Sequence, residues 1–593
     1  LAKGLKCFIF PSCNALHCKS EGIALSGTAR MLRLPISLIF RRVFILFFPA
    51  KKRGAAFCFN VQLSRIAQNS VYYSLFYGII YTETHQKKSV IMRNILEQLK
   101  TFMPLSGADT LNCEGFPAWS MDDSARLEQL AMTGTLTPSF YVNTSVQIFD
   151  ALTLLERADA DELAKAIVKG RNEGFIRTFP ILGLAVLSKK DPEKFKEAFP
   201  QIIKTGNDLE DFINIIRHMR GMGRSIKSAL HSYLEKNVTP YYAMKYRRQL
   251  ADAIRLSRFA GSDPIYAYIL KHYSSVAGTD ITKAQKVYEL YPEFAARKEF
   301  LHFLENKDYE NAARVMLQYR LDVDSLSAYY ARFDKTLWEA AAVNAPLMKF
   351  LKYLAKFQRE GVELDGIIKE KLSIPALKAA KIFPFRLYSA YKALRENKSH
   401  TAEFLQELLD EYTLAYDWSS FNKHSWIIAP DVSGSMKSPM GNSAELTYSE
   451  VSGMFTGFFN KGLDNVKIIP WSSEIHSCKW AKTAPVAEQM AHLDKMTWGS
   501  TYMEVPVEYM IGNNIIADWS IFITDTEEYG TGWFACWQQY RKINPNAKAI
   551  LLRLDPYNTT PFPPADAEAY GIWQVFGWNT NVIEYIKFII ERN

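Results

Sequence analysis

The chain has 593 residues, 48% of them hydrophobic and 22% charged, enough for two to four domains with sizeable cores. Its formal net charge of +9 suggests a polyanionic partner, but residues 1–91 alone hold 13 Lys and Arg against 2 Asp and Glu. The rest is slightly acidic, which excludes a uniformly basic coat and requires any nucleic-acid contact there to come from a local patch. Cysteine is distributed in the same uneven way. Cys7, Cys13, Cys18 and Cys58 precede residue 92, and only Cys113, Cys478 and Cys536 follow. Three scattered cysteines make no disulfide framework, so the body reads as reduced and cytoplasmic.

Residues 1–91 support three readings. The apolar run at 34–50 is cut by Arg41 and Arg42 below the roughly 18 residues that a membrane span needs, and no clean n-region, h-region and cleavage site mark a targeting segment. A disordered basic arm should be less apolar. The favoured reading is a non-native or disordered extension, with the authentic start near Met92.

From residue 92 to about 415 the pattern is helical. Asp122-Asp123-Ser124 opens a helix with Leu127, Leu130 and Ala131 at helical spacing; Asn143-Thr144-Ser145 caps the next, with Ile148, Phe149, Leu152 and Leu155 on one face. Further amphipathic stretches are predicted at 159–175, 191–204, 208–220, 225–236, 239–258, 281–291, 309–319, 335–359 and 402–416. Short links carrying Gly, Pro or Asn-Asp separate them, which implies paired helices stacked as a HEAT-like α-solenoid. Within it, Arg220, Arg224 and Lys227 gather with Gly221 and Gly223 at a helix junction, and Lys245-Tyr246-Arg247-Arg248 follows, then Arg255 and Arg258. One continuous helix over 239–258 would put Lys245 and Arg248 on one face, with Arg255 two turns along. That stripe is either a phosphate track, with Tyr246 free to stack, or a solvated helix face.

From about 420 to 593, strands and helices alternate. Strands are predicted at 425–429, 466–470, 518–524, 547–554 and 572–576, and helices at 444–460, 485–493, 507–512, 533–542 and 582–592. Such alternation indicates an open, mainly parallel sheet covered on both faces, with ligands gathering beyond the carboxyl ends of its strands. Three loops stand at those ends: Asp431-Val432-Ser433-Gly434-Ser435, Trp498-Gly499-Ser500-Thr501, and Asp525-Thr526-Glu527-Glu528. Hard cations such as Mg²⁺ take oxygen ligands in near-octahedral array, and these loops are rich in them.

Together the loops resemble the metal-ion-dependent adhesion site (MIDAS) of the von Willebrand factor A fold. By that resemblance Asp431, Ser433, Ser435, Thr501 and Asp525 would hold Mg²⁺ or another divalent cation, with an open position for a partner's acidic group. The helical part carries Pro117-Ala118-Trp119-Ser120-Met121-Asp122-Asp123, Arg220-Gly221-Met222-Gly223-Arg224, Lys245-Tyr246-Arg247, Arg255-Leu256-Ser257, Trp338-Glu339-Ala340 and Pro384-Phe385. These segments resemble the TROVE module of the Ro autoantigen and bacterial Rsr proteins, in which a ring of helices is closed by a von Willebrand factor A domain. The resemblance implies a TROVE domain at 92–415 and the A domain at 420–593. It also implies a ribonucleoprotein role: Y-like RNA on the helical surface, ends of misfolded RNA or rRNA precursors in the central hole, and a possible exoribonuclease partner without a membrane. Carried over by position, Arg220, Arg224, Lys227, Lys245, Arg247, Arg248 and Arg258 would contact RNA. Arg258 stands where the family often has His, which keeps the charge and alters the Y RNA pattern.

The expected function is therefore a noncatalytic RNA quality-control scaffold. Its rival is a metal-dependent protein-adhesion module without RNA binding. An enzyme is disfavoured because the chain has no phosphate-binding G-x-x-x-x-G-K-[ST] loop, no H-E-x-x-H and no G-x-S-x-G, and no evident His would activate Ser433 or Ser435.

Overall fold

The computed structural model describes residues 107–593 except 271–284, 396–398, 442–445 and 531, so the expectation for 1–91 lies outside the described residues. The described chain begins with a hairpin, β1 (Thr110–Leu111) and β2 (Pro117–Ser120), and continues as helices to Leu414. Two helix starts follow the caps read in the sequence: Asp122 accepts from Ala125 N and Asn143 from Val146 N. Thr205 and Asp208 form a reciprocal capping box. Asp208 does more, because its buried carboxylate also takes Arg171 at 2.8 Å and Arg177 at 2.6 Å, tying three helix ends together.

Two predicted long helices are broken. The 335–359 stretch divides into Lys335–Asn344 and Leu347–Arg359, because Pro346 cannot continue the hydrogen-bond ladder. The 239–258 stretch divides at Tyr246 into Pro240–Lys245 and Arg247–Ser257. Tyr246 packs against Gly206 so closely that a Cβ there would lie 2.4 Å from its side chain. The shared-face argument for Lys245 and Arg248 fails with the break.

The C-terminal unit is a five-stranded, wholly parallel sheet in the order β4-β3-β5-β6-β8. Its strands are β3 (Trp426–Pro430), β4 (Val466–Ile468), β5 (Trp519–Thr524), β6 (Lys548–Arg553) and β8 (Ile572–Phe576). β3 and β5 lie in the middle and every one of their residues is buried, as continuous apolar runs in a doubly covered sheet should be. The helix Tyr448–Gly462 packs on this sheet and against Val486–Met496. Gly453 lets the two backbones touch, since a Cβ there would stand 2.8 Å from Met490 Cα.

This domain grips both ends of the helical array. At the front, β2 pairs antiparallel with β7 (Thr559–Thr560), and the Gln129 amide donates to the Tyr557 carbonyl at 2.8 Å. Asn579 and Asn581 donate to the Glu173 carbonyl. At the back, Lys392 binds both oxygens of Glu450, and Asp410 receives Val486 N and the Lys461 ammonium. The array also meets itself directly, with the Phe175 and Phe383 rings 4.7 Å apart. The helical series is thereby closed into a ring by the α/β domain. No helix among the described residues is long and apolar enough to cross a membrane.

Candidate functional site

The three predicted loops converge at the carboxyl ends of β3 and β5. Asp431 follows β3 and is fully buried; its Oδ1 accepts from Ser433 N at 2.7 Å and its Oδ2 from the Thr524 hydroxyl at 2.7 Å. Ser433 and Ser435 present their hydroxyl oxygens 3.1 Å apart. Asp525, also buried, hydrogen-bonds Ser435. The second loop is bound to the first through Trp498 N to Val432 O at 2.7 Å and Gly434 N to Gly499 O at 2.8 Å. Gly499 is at φ +96, a conformation that suits glycine, and this lets the loop lie flat against Ser472 and Ser473. Thr501 is 3% exposed and its carbonyl accepts from Tyr529 N, which joins the second loop to the third. Thr526, directly after Asp525, is a β-branched residue at φ +64, held there by its hydroxyl on the Asp525 carbonyl and its N–H on Thr524 Oγ1. Strain of this kind persists only where surroundings enforce it, and it gathers at functional sites.

The electrostatics are those of a centre short of positive charge. Burial, then the neighbouring Asp525 charge, pushes the Asp431 carboxyl well above its usual range, and burial does the same to Asp525. Around them Glu527 is pushed up to about 7 and Asp555 to about 8, burial again being the main cause. Arg553 is the buried cation among them; it donates to Gln574 Oε1 at 2.9 Å and to the Tyr557 carbonyl at 3.0 Å, and burial draws its pKa down to about 10. Two carboxylates and three hydroxyls, buried and all oxygen, fit a hard divalent cation. Among the described residues no group of three or more His, Cys, Asp or Glu is arranged to hold a metal.

The cationic residues separate into two groups. Lys245 points inward: its ammonium lies 2.7 Å from the Tyr241 hydroxyl, 3.4 Å from Asp324 and 4.0 Å from Asp322, beside Lys349. Arg247 stacks its guanidinium 5.5 Å from the Tyr268 ring, and Arg248 binds Glu210 at 2.8 Å. The other group is exposed or half-buried, as Arg248 also is, and within it the Arg220 guanidinium donates to the Ser188 carbonyl. Gly223 begins the helix Arg224–Asn237 with no side-chain cap, leaving first-turn N–H groups beside Arg224 and Arg220. Arg224, Lys227 and His231 share one helix face by spacing. His231 Nε2 donates to the Ser257 carbonyl at 3.1 Å, which sets exposed Arg258, left-handed at φ +59, next along the strip.

The residue patterns did not lead to a second basic region. Lys349, Lys352, Lys356 and Arg359 recur at three- and four-residue steps along Leu347–Arg359. Between this helix and Pro384–Leu394 runs a groove of about 590 Å³ lined by Met348, Leu351, Lys352, Ala355, Arg386 and Lys392. Its 3-4-3 spacing was the available signal, hidden inside what read as one long amphipathic helix.

Residues 425–589 match the family model of the Ro60 vWA domain. The C-terminal unit is a Ro60-type von Willebrand factor A domain. The whole fold is similar to the crystal structure of the Deinococcus radiodurans Ro (Rsr) protein, with a TM-score of 0.56 at 17% identity, over 79% of this chain and 99% of that one. No curated protein matches the sequence. The chain thus has a helical ring first and the A domain second, in a fold similar to that structure. The carboxylate and hydroxyl loops and the cationic strip stand on separate modules of this chain.

Proposed function

We propose that this chain is a noncatalytic RNA-binding scaffold for small noncoding and misfolded RNA. One observation carries the reading: within a Ro-type fold, Arg220, Arg224 and Lys227 stand within a turn of an uncapped helix start, and the His231–Ser257 contact sets Arg258 further along the same helix. Backbone N–H groups at a helix start and flanking guanidinium groups both favour phosphate oxygens. A structured, Y-like RNA recognised by phosphate and shape suits such a surface. The groove between Leu347–Arg359 and Pro384–Leu394 adds apolar walls to its cations, which suits an unpaired RNA end whose bases need contact as well as charge. Asp431, Ser433, Ser435, Thr501 and Asp525 would hold Mg²⁺, whose role here is to fix the three loops and to accept one further oxygen ligand.

Filter binding of a small structured RNA across a salt series tests the assignment. Each lost phosphate contact lowers the slope of log K against log salt by about 0.7–0.9, so Arg224→Ala/Lys227→Ala/Arg258→Ala should reduce it by about 2 to 3. A slope equal to that of the unaltered protein would refute the strip.

A further inference from the structure

The hairpin β1–β2 belongs to the helical module in sequence, yet its tip is seated on the metal-site loops. The turn is sharply built: Gly115 is at φ +86, Asn112 N donates to Phe116 O at 2.9 Å, and Asn112 Oδ1 accepts from Phe116 N at 2.9 Å. That turn puts Glu114 near its apex. Asn112 Nδ2 donates to the Glu528 carbonyl at 2.6 Å, and Cys113 N donates to Glu527 Oε2 at 2.6 Å. The Phe116 ring rests 4.6 Å from that of Tyr529, whose N–H holds Thr501. Behind the tip, Trp119 and Ser120 pair with Thr560 and Thr559, so both ends of the hairpin are fixed to the A domain. Tyr141, held by its N–H on the Tyr557 hydroxyl and by ring contact with Tyr557 at 5.6 Å, brings its own hydroxyl within reach of Glu114 and Ser435 together.

We propose that Glu114 is an internal ligand of the divalent cation: its carboxylate takes the position that an adhesion site of this shape offers to a partner's acidic group. The metal then clasps the hairpin to the A domain and is not presented to another protein. The chemistry is complementary, because a hard cation with five protein oxygens takes a sixth oxygen, and an anionic one adds to the charge balance. Glu114 is half-buried and its charge bears on Asp525, so it stands over the ligand set, not out in solvent. This inference rests on the reading that the five oxygens take a divalent cation.

Mn²⁺ serves as the probe, with affinity and the number of metal-bound waters read by water-proton relaxation on the full chain. The unaltered protein should bind one Mn²⁺ saturably and Asp431→Ala should not. Glu114→Ala should bind at least about tenfold more weakly, in the range known for loss of groups around metal sites, and with an added bound water. Acetate should restore part of the lost affinity. Hydrogen exchange of residues 110–120 gives a second readout: Mn²⁺ should slow it in the unaltered protein and not in Glu114→Ala. Unchanged affinity and hydration in Glu114→Ala, with Asp431→Ala inactive, would overturn the role of Glu114 alone. No saturable, Asp431-dependent binding in the unaltered protein would overturn the metal reading beneath it.

Discussion

Removing divalent cations should make the stability of this protein fall with rising pH. Asp431, Asp525, Glu527 and Asp555 are all buried, and all hold their protons more tightly in the folded chain than an unfolded chain would. Between their ordinary values near 4 and their folded values, the native state binds protons that the unfolded state has released. Stability therefore declines as pH rises through that window. Glu527, moved from 4.5 to about 7, is alone worth on the order of 3 kcal/mol, and Asp555 acts in the same direction. A domain of this size shifts its Tm by about 2–4 °C per kcal/mol, so roughly 10 °C should separate metal-free protein at about pH 5 from that at about pH 8. Excess Mg²⁺ should flatten or reverse the trend, because the cation binds the deprotonated carboxylates. Calorimetry in chelator and in Mg²⁺ across that range measures both curves. A metal-free Tm that is level or climbs, or a decline that Mg²⁺ leaves unaltered, would refute the account.

Two further substitutions separate structural from functional charge. Asp208→Ala should destabilise the helical module by about 3–5 kcal/mol in denaturant titration, since it leaves Arg171 and Arg177 facing an empty buried site and removes half of a capping box. Lys245→Ala should lower stability, because Asp322 and Asp324 lose a half-buried cation, while leaving the salt slope of RNA binding as it was. A reduced slope in Lys245→Ala would return that residue to the RNA surface.

Most of the A domain was legible because its strands are short apolar runs that end in polar loops. Residues 572–576 were predicted to the residue, and the Asp431 and Asp525 loops fell where their strands ended. The helical module was harder to read. Thr178–Lys190 escaped prediction because it is apolar all round, buried among its neighbours, and so has no period to detect. The breaks at Tyr246 and Pro346 had local causes of unequal visibility: a proline is written in the sequence, whereas a tyrosine wedged against Gly206 is a tertiary event. For the site, Asp431, Ser433, Ser435 and Asp525 are in one hydrogen-bonded group, and Thr501 is on a loop bonded to theirs. Glu114, Tyr141 and Tyr557 carried no local sign of belonging there, because two of them come from the far side of the ring closure. Charge spacing gave no sign of the acidic partners of Lys245, which lie about 80 residues downstream.

The pairing of β2 with β7 also dictates an order of events during synthesis. About 440 residues separate the two strands, so at roughly 5–20 residues per second β2 leaves the ribosome some 20–90 seconds before its partner exists. Through that interval the apolar pair Ala118-Trp119 has only the two-residue strand β1 beside it, a hairpin too small to be stable alone. A segment made early is therefore among the last to be secured, and the nascent chain carries a sticky edge until most of the A domain has been made.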